Sequence, residues 1–413
     1  MVRRLAQKKT EVYQPRYAVI GGGITGVNCT LALSGLNCHV DLYEKASLLK
    51  QTSACVRRVN ITGFHYKNIA DQVSVAHANR KWMRFLLDNQ PYYNAWVEYE
   101  HVSYFILESS EIDDASIDKL IASVQKDYIS QPSLQLPGVV ADQLIVETNL
   151  DECTHIPKGV YRHFRVLEAR VRMGSCRYGV EGLAIDLIDQ LDKANGVSVY
   201  QNFLVDRLTT NDVVDRVGLV AHDVFSGIKR AVSYDMIFDC SNSYGLTKFQ
   251  RFSINGLFKF TCMAYVDDAV LAQAMKLGSC LNVWSSSGWG ISIVPEDKCL
   301  ILTAEEVTKC YQRRIKQEEH LAITKEVFAH ISSMSDVWKA VLDQADPIEA
   351  TIEQNYISKP SVGSMPRGVS HIENVHYGIY KCYVDKLANA HELAQKVVSM
   401  AQQPSVDGLV AMV

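Results

Sequence analysis

The sequence lacks the short motifs that mark several large enzyme classes. It has no Cys-x-x-Cys pair, no His-Glu-x-x-His, no Gly-x-Ser-x-Gly and no Gly-x-x-x-x-Gly-Lys-Ser/Thr segment. These absences argue against zinc ribbons, thioredoxin-type redox sites, zinc proteases, α/β-hydrolases and P-loop nucleotide-binding proteins. The 12 histidines show no metal-ligand spacing, and we therefore expect no metal site.

An excess of charge of one sign is also missing. The chain has 42 Lys and Arg residues against 46 Asp and Glu residues, a net charge of −4. This balance predicts neither a nucleic-acid partner nor an anionic membrane partner. The one local excess lies in residues 1–16, which hold five cations and one acid. We interpret residues 1–14 as a flexible basic tail and residues 401–413 as a second tail.

Paired cysteines and a membrane span are the remaining absences. The 11 cysteines are odd in number and scattered, which is typical of reduced thiols in the cytoplasm. The longest uncharged run, residues 17–40, contains five glycines and two asparagines. Its length would suffice for a bilayer, but its glycine pattern has a better interpretation and we expect no membrane span.

That uncharged run predicts a strand, a glycine turn and a helix. Residues 17–20 are apolar and end in three glycines, and residues 24–33 have apolar positions at helical spacing up to Gly35. Residues 38–44 then alternate as a second strand. A strand, glycine turn, helix and strand in succession are typical of a dinucleotide-binding unit.

Each glycine of the turn has a physical reason to be there. Gly21 permits the tight turn, Gly23 lets backbone N–H groups approach a pyrophosphate, and Gly26 allows close packing of helix and strand. Glu44 follows Gly26 by 18 residues, where a carboxylate can accept hydrogen bonds from a ribose diol. An acid at this position disfavours the 2′-phosphate of NADP. The expected cofactor contacts in this unit are Gly21, Gly23, Ile24, Thr25, Gly26 and Glu44.

The residues after Glu44 favour FAD over NAD. An NAD-binding domain usually continues into another helix and strand, whereas residues 45–67 are an irregular polar stretch. The turn of residues 21–26, the Glu44-Lys45 strand end and Thr52-Ser53 resemble the FAD-dependent oxidoreductases of the D-amino acid oxidase and glycine oxidase superfamily. Residues 63–67, Gly-Phe-His-Tyr-Lys, are similar to the 2-hydroxyglutarate oxidase branch. The resemblance implies that Lys45, Thr52 and Ser53 lie on the phosphate side of a bound FAD.

The resemblance continues along most of the chain. It implies an adenine contact near Val205, and phosphate contacts from the small residues Ser241 and Gly245 after a buried strand. It also implies a final helix, residues 385–400, whose N-terminus points at the flavin pyrimidine after a turn at residues 378–383. In that turn we expect Gly378 and Lys381 to contact the cofactor, with Lys381 either assisting the reduced anionic flavin or lying in solvent.

These features together predict an α/β fold in which a Rossmann-like FAD-binding domain is interleaved with a mixed-sheet α+β substrate domain. The FAD-binding domain is assigned residues 15–75, 166–248 and 352–400. The substrate domain is assigned residues 76–165 and 249–351. Within the latter, residues 286–303 predict a hairpin, and residues 305–332 and 336–345 predict helices.

Flavoenzymes of this kind move a hydride from a C–H bond next to nitrogen or oxygen to flavin N5. His65 is a candidate base or a structural histidine, and Tyr66 a wall of the substrate cavity or a core residue. Arg58 contacts the flavin or its phosphates, or is a solvated loop charge. The resemblance places Arg177-Tyr178 and Arg367 near the substrate, where an arginine can hold a carboxylate.

The leading hypothesis is an FAD-dependent oxidoreductase acting on an amine or amino-acid-like small molecule. A 2-hydroxy acid is the alternative substrate, suggested by residues 63–67. A flavin-binding protein without turnover is a third reading, because residues 60–61, 241–245 and 378–382 depart from the family pattern. The sequence does not indicate an oligomeric state.

Overall fold

The computed structural model describes residues 13–49, 58–66, 68–89, 96–110, 112–153, 156–174, 181–211, 216–241, 262–265, 269, 281–284, 291–296, 299–304, 317–344, 370–384 and 388–402. No helix in these ranges is long and apolar enough to cross a bilayer.

A six-stranded sheet forms the first layer. Its strands are β1 Arg16–Ile20, β2 His39–Glu44, β7 Val197–Gln201, β11 Met236–Asp239, β16 Ser370–His376 and β17 Ile379–Val384. They lie side by side in the order β16-β17-β11-β1-β2-β7. All neighbours are parallel except β16, which pairs antiparallel with β17. Because β2 and β11 flank β1 on opposite sides, the chain reverses direction across the sheet at the carboxyl end of β1, where α/β sheets bind ligands.

Helices cover one face of this sheet, and a small antiparallel sheet covers the other. The helices are α1 Ile24–Ser34, α4 Leu183–Lys193 and α7 Asn389–Gln402, and the small sheet contains β8 Phe203–Asn211, β9 Arg216–Asp223 and β10 Lys229–Tyr234. On the helical face, Val27 and Leu33 of α1 share a fully buried core with Leu393 of α7. On the other face, Leu219 of β9 packs with Ala18 of β1. Burial on both faces explains why residues 17–20 of β1 are continuously apolar.

An eight-stranded mixed sheet forms the second layer. Its strands are β3 Arg58–Val59, β4 Val97–Leu107, β5 Ile145–Thr148, β6 Val160–Val171, β12 Cys262–Tyr265, β13 Leu281–Trp284, β14 Ile291–Glu296 and β15 Cys299–Ala304. Their order is β12-β15-β14-β13-β4-β6-β3, and β5 also pairs with β6. The remaining helices are α2 Ile69–Asp88, α3 Asp114–Ser130, α5 Gln317–Met334 and α6 Asp336–Leu342, with short 3-10 turns at Pro132–Leu134, Ala141–Gln143 and Leu150–Glu152.

The predicted fold class is confirmed. The six-stranded sheet takes its strands from residues 16–44, 197–239 and 370–384, and the intervening residues build the other sheets. The expected hairpin is present as β14 and β15. The division into domains stays a prediction, although β3 and most of β6 carry hydrogen bonds within the eight-stranded sheet, so these strands belong to that sheet.

Candidate functional site

The glycine turn, residues 21–23, joins β1 to α1 at the carboxyl edge of the six-stranded sheet. Gly21 has φ of +100°, and a Cβ there would lie 2.9 Å from the Cys240 carbonyl oxygen. A Cβ on Gly26 would lie 1.8 Å from the Gly21 carbonyl oxygen. The first turn of α1 therefore packs directly against the glycine turn, as the motif predicts.

The amino terminus of α1 lies at the glycine turn. Gly23 is its N-cap in an extended conformation and, as a glycine, has no side chain of its own that could accept from the first N–H groups of the helix. N–H groups at a helix amino terminus, together with the helix dipole, bind phosphate and other anions. Ile24 and Thr25 are buried in this first turn.

Glu44 ends β2 beside the glycine turn. Its carboxylate accepts hydrogen bonds from the backbone N–H of Gly22 at 2.6 Å and of Ala46 at 2.9 Å. A carboxylate has about four lone-pair sites, so it retains capacity for a ribose diol. Gly22, which the sequence prediction omitted, is as constrained as its neighbours, because a Cβ there would lie 2.4 Å from Leu48 Cδ2 and 2.8 Å from Glu44 Cβ. Lys45 follows and is partly buried.

The strand next to β1 ends at the same edge. Ser241, two residues past the β11 residue Asp239, donates its backbone N–H and its hydroxyl to Asp239 Oδ1, at 2.9 and 2.5 Å. Lys381 Nζ lies 2.7 Å from Asp239 Oδ2, and this lysine is 3% exposed. The solvent-exposed alternative for Lys381 is therefore wrong: it is a buried ion-pair partner behind the Ser241 turn.

Gly378 does not belong to the candidate site. It precedes β17, and its carbonyl oxygen accepts from the Ile237 backbone N–H at 2.8 Å, at the amino end of β11. In a parallel sheet that is the edge opposite the glycine turn. Instead of the expected turn at residues 378–383, the chain turns at Tyr377 and Gly378 and continues as β17. The reason is that the side chains of β17 alternate between the two covered faces of the six-stranded sheet.

The final helix begins at Asn389, four residues later than expected. Residues 385–387 of the expected helix lie outside the described ranges. Asn389 is fully buried, and neither its Oδ1 nor its Nδ2 has a hydrogen-bond partner among the residues that the structure describes. Buried amides without partners are rare and point to a missing water, ion or ligand. The sequence offered no signal for Asn389 beyond its place at the start of a helix.

The residues before α2 form a tightly packed loop. Asn60 Oδ1 accepts from Thr62 N, Thr62 Oγ1 and Gly63 N at 3.2, 2.9 and 2.8 Å. The loop holds His65 with its ring edge-on to Tyr66 and to Tyr104, at centroid distances of 5.9 and 6.2 Å. Tyr66 is buried and His65 is partly buried.

Arg58 has partners that the sequence did not reveal. Its guanidinium lies 2.7 Å from Glu100 Oε1 and 3.9 Å from Glu168 Oε2, and the Tyr104 hydroxyl donates to Glu168 Oε1 at 2.6 Å. Burial raises the pKa of Glu168, against the opposing effects of Arg58 and Tyr104. The arginine predicted to be a phosphate contact or a solvated charge is thus paired with two carboxylates of the eight-stranded sheet.

Val205 lies in β8 and packs against the core between the six-stranded sheet and the small antiparallel sheet. The Asn202 backbone N–H donates to the Ala46 carbonyl oxygen at 3.1 Å, which brings the start of β8 beside the end of β2. The remaining predicted site residues lie outside the described ranges: Thr52, Ser53, Arg177, Tyr178, Gly245 and Arg367.

Solved structures share this fold. The chain is similar to L-α-glycerophosphate oxidase from Mycoplasma pneumoniae, solved with FAD bound, with a TM-score of 0.62 and 13% identity over 95% of this chain and 96% of that chain. It is similar to glycine oxidase from Geobacillus kaustophilus, with a TM-score of 0.58 and 12% identity over 95% and 96%. It is also similar to glycerol-3-phosphate dehydrogenase from Bacillus halodurans in complex with FAD, with a TM-score of 0.57 and 13% identity, covering 96% of this chain and 65% of that longer chain.

No protein-family model matches the chain, and no curated protein matches it. The likeness to solved structures confirms the expected fold, which this chain shares with glycine oxidase and with L-α-glycerophosphate oxidase.

Proposed function

We propose that the chain binds FAD and oxidises a small molecule that carries an amine, such as an amino acid. The observation that carries this proposal is the glycine turn at the carboxyl edge of the parallel sheet, with the amino terminus of α1 directly after it and Glu44 beside it. Solved structures of the same fold that hold FAD support FAD as the dinucleotide.

The described residues fit FAD along its length. The pyrophosphate would lie on the glycine turn, where any Cβ at Gly21 would fill the space taken by Cys240. Glu44 would hold the ribose, and Val205 the adenine end. Asn389 offers one donor and one acceptor, which complement the N3–H and C2 carbonyl of the flavin pyrimidine.

When bound, FAD would supply a hydride acceptor at N5. The chain would orient the substrate and take up the proton that an amine releases. We infer that His65, whose ring lies edge-on to Tyr66 and to Tyr104, accepts that proton, since histidine is the side chain that most often serves as a general base. Arg177, Tyr178 and Arg367 stay proposed contacts for a substrate carboxylate.

A second candidate substrate class is an alcohol, in particular a 2-hydroxy acid. Similar structures include enzymes named for amines, such as glycine oxidase and iminodiacetate oxidase, and enzymes named for glycerol phosphate. The amine is preferred because the similar structures include several enzymes named for amines or amino acids, among them glycine oxidase, iminodiacetate oxidase and L-amino acid deaminase. Binding of flavin without turnover is the third reading.

Absorption spectroscopy tests the proposal. The purified chain is expected to be yellow, and anaerobic addition of amino acids or 2-hydroxy acids in turn should bleach the flavin bands with one class only. Colourless protein that binds NAD would contradict the proposal. Yellow protein that no member of either class bleaches would support flavin binding without turnover.

A further inference from the structure

Three cysteines from three elements meet beneath the glycine turn. Cys29 lies on α1, Cys240 follows β11 and Cys382 lies on β17; they are 0%, 8% and 2% exposed. The Cys240 and Cys29 sulfurs are 4.0 Å apart, and Cys382 also interacts with Cys240. We refer to these three residues as the thiol cluster.

The thiol cluster is part of the support of the glycine turn. The Cys240 backbone N–H donates to the carbonyl oxygen of Ile20, the last residue of β1, at 2.8 Å. The Cys240 carbonyl oxygen is the atom that a Cβ on Gly21 would meet. Cys29 is on the second turn of α1, the helix whose amino terminus faces the proposed pyrophosphate. A change in the Cys29–Cys240 distance therefore acts on both sides of the turn.

The three sulfurs differ in reactivity. Hydrogen bonding with Cys29 and Cys382 lowers the pKa of Cys240, against the opposing effect of burial. Hydrogen bonding with Cys240 and burial raise the pKa values of Cys29 and Cys382. Cys240 is also the most exposed of the three, and because the thiolate is the form that reacts with peroxides, it is the reactive sulfur of the thiol cluster.

We propose that Cys29 and Cys240 are an oxidative modification site at which hydrogen peroxide forms a disulfide. The Cys240 thiolate attacks peroxide, the O–O bond breaks, and one water leaves after proton uptake, which gives a sulfenic acid. The Cys29 sulfur then attacks the Cys240 sulfur, the S–O bond breaks, and a second water leaves. Two thiols are oxidised to one disulfide, and one peroxide is reduced to two waters.

The disulfide would change the cofactor site. A disulfide bond is about 2.05 Å long, so the two sulfurs must approach each other by about 2 Å, through rotation of the two side chains and movement of α1 towards the end of β11. This consequence rests on the proposed function, because it assumes that the amino terminus of α1 binds the pyrophosphate. Loss of one charge-assisted hydrogen bond there lowers FAD affinity about tenfold or more.

The experiment uses the full chain, purified in reductant and then freed of it, both without FAD and loaded with FAD. Each form receives a small excess of hydrogen peroxide, and mass spectrometry of peptides under non-reducing conditions identifies the linkage. The dissociation constant of FAD is then measured before and after dithiothreitol. C29S removes the resolving thiol, and C153S, at a cysteine outside the thiol cluster, is the matched control.

We expect one linkage between the Cys29 and Cys240 peptides, an FAD dissociation constant raised about tenfold or more, and full reversal by dithiothreitol. C29S should keep its FAD affinity after peroxide, while C153S should respond as the parent does. No linkage in either form, or a linkage of Cys240 to Cys382, would overturn the proposed site, and a Cys29–Cys240 linkage with unchanged FAD affinity would overturn its consequence. Failure of the reduced chain to bind FAD would contradict the proposed function instead, and the linkage would still be decided by mass spectrometry.

Discussion

At the residue scale, the site depends on positions where a single methyl group is too large. Gly26 is the sharpest case, because an added Cβ would lie 1.8 Å from a backbone oxygen of the glycine turn, and backbone cannot move aside as a flexible side chain can. Gly35 ends the same helix with φ of −69°, and its Cβ would have only an ordinary contact at 3.4 Å.

Gly26→Ala should therefore abolish FAD retention, and Gly35→Ala should leave it intact. The two variants add the same methyl group to the same helix, so a difference between them reports the close contact of α1 with the glycine turn. The ratio of flavin to protein absorbance after desalting measures the effect, and circular dichroism checks that both variants are folded. Equal flavin content in the two variants would contradict the assignment of this turn to the pyrophosphate.

Asn389 affects the stability of the chain without FAD. Its two amide atoms are buried without partners in the part of the chain that the structure describes, and such atoms cost about 1–3 kcal/mol of folding free energy. If FAD supplies the missing partners, the chain without FAD is less stable than it would be with an apolar side chain of the same size.

Asn389→Leu should thus raise the unfolding midpoint of the FAD-free chain while it lowers FAD affinity about tenfold through the loss of two hydrogen bonds. Thermal unfolding and FAD titration give the two readings. Asn28→Leu is the control, because the Asn28 amide already donates to the Ile24 carbonyl oxygen at 2.8 Å and its removal should bring no gain in stability. If the FAD-free Asn389→Leu variant is instead less stable than the parent, the amide stabilises the fold through contacts within the protein, and its assignment to FAD is wrong.

At the element scale, the contact between β5 and β6 includes a buried histidine with two polar neighbours. The Thr148 hydroxyl and the Cys153 thiol lie 2.5 and 3.0 Å from His163 Nδ1, and the Phe105 ring stacks on the imidazole at 4.4 Å. The neutral ring can make these contacts with Nδ1 as donor or as acceptor. Burial, with a smaller effect of Arg165, lowers the pKa of His163 to about 4.

This lowered pKa makes stability depend on pH in one direction. The unfolded chain binds a proton at His163 near pH 6.5 and the folded chain only near 4, so the contribution is complete above 6.5 and is lost as pH falls towards 4. The loss is about 3 kcal/mol. His163→Gln should remove that part of the acid sensitivity of urea unfolding between pH 7 and 4, and His101→Gln, on the neighbouring strand, should not. An unchanged pH dependence in His163→Gln would contradict the assignment.

The extent to which elements could be predicted follows from how local their causes are. The strand, glycine turn and helix of residues 16–34 were predicted closely, because the glycines that permit the turn lie within one short segment. Gly378 and Lys381 were misplaced, because their surroundings come from β11, about 140 residues earlier in the chain. Burial of Lys381 depends on Asp239, and no spacing in the sequence reveals that ion pair. The ion pairs of Arg58 could not be predicted for the same reason, since its carboxylates lie on β4 and β6.

At the scale of the whole molecule, residues 370–384 complete the six-stranded sheet at one edge. β17 pairs with β11, and β16 pairs with β17. Leu393 and Val397 of α7, both fully buried, share a core with Val27 and Leu33 of α1. The helix that faces the proposed pyrophosphate thus depends on residues that are far from it in the sequence.

A chain that ends at residue 369 should therefore fail to bind FAD even though it keeps the whole glycine motif. Removing a single buried leucine costs about 2–5 kcal/mol, and total stabilities are about 5–15 kcal/mol, so loss of β16, β17 and α7 exceeds what the fold can tolerate. A chain that ends at Gln402 keeps every element described above and is the matched control. Soluble yield, circular dichroism and flavin content distinguish the two. A yellow, folded product from the shorter chain would show that residues 13–369 are self-sufficient, and that α7 has no part in the site to which Asn389 is assigned.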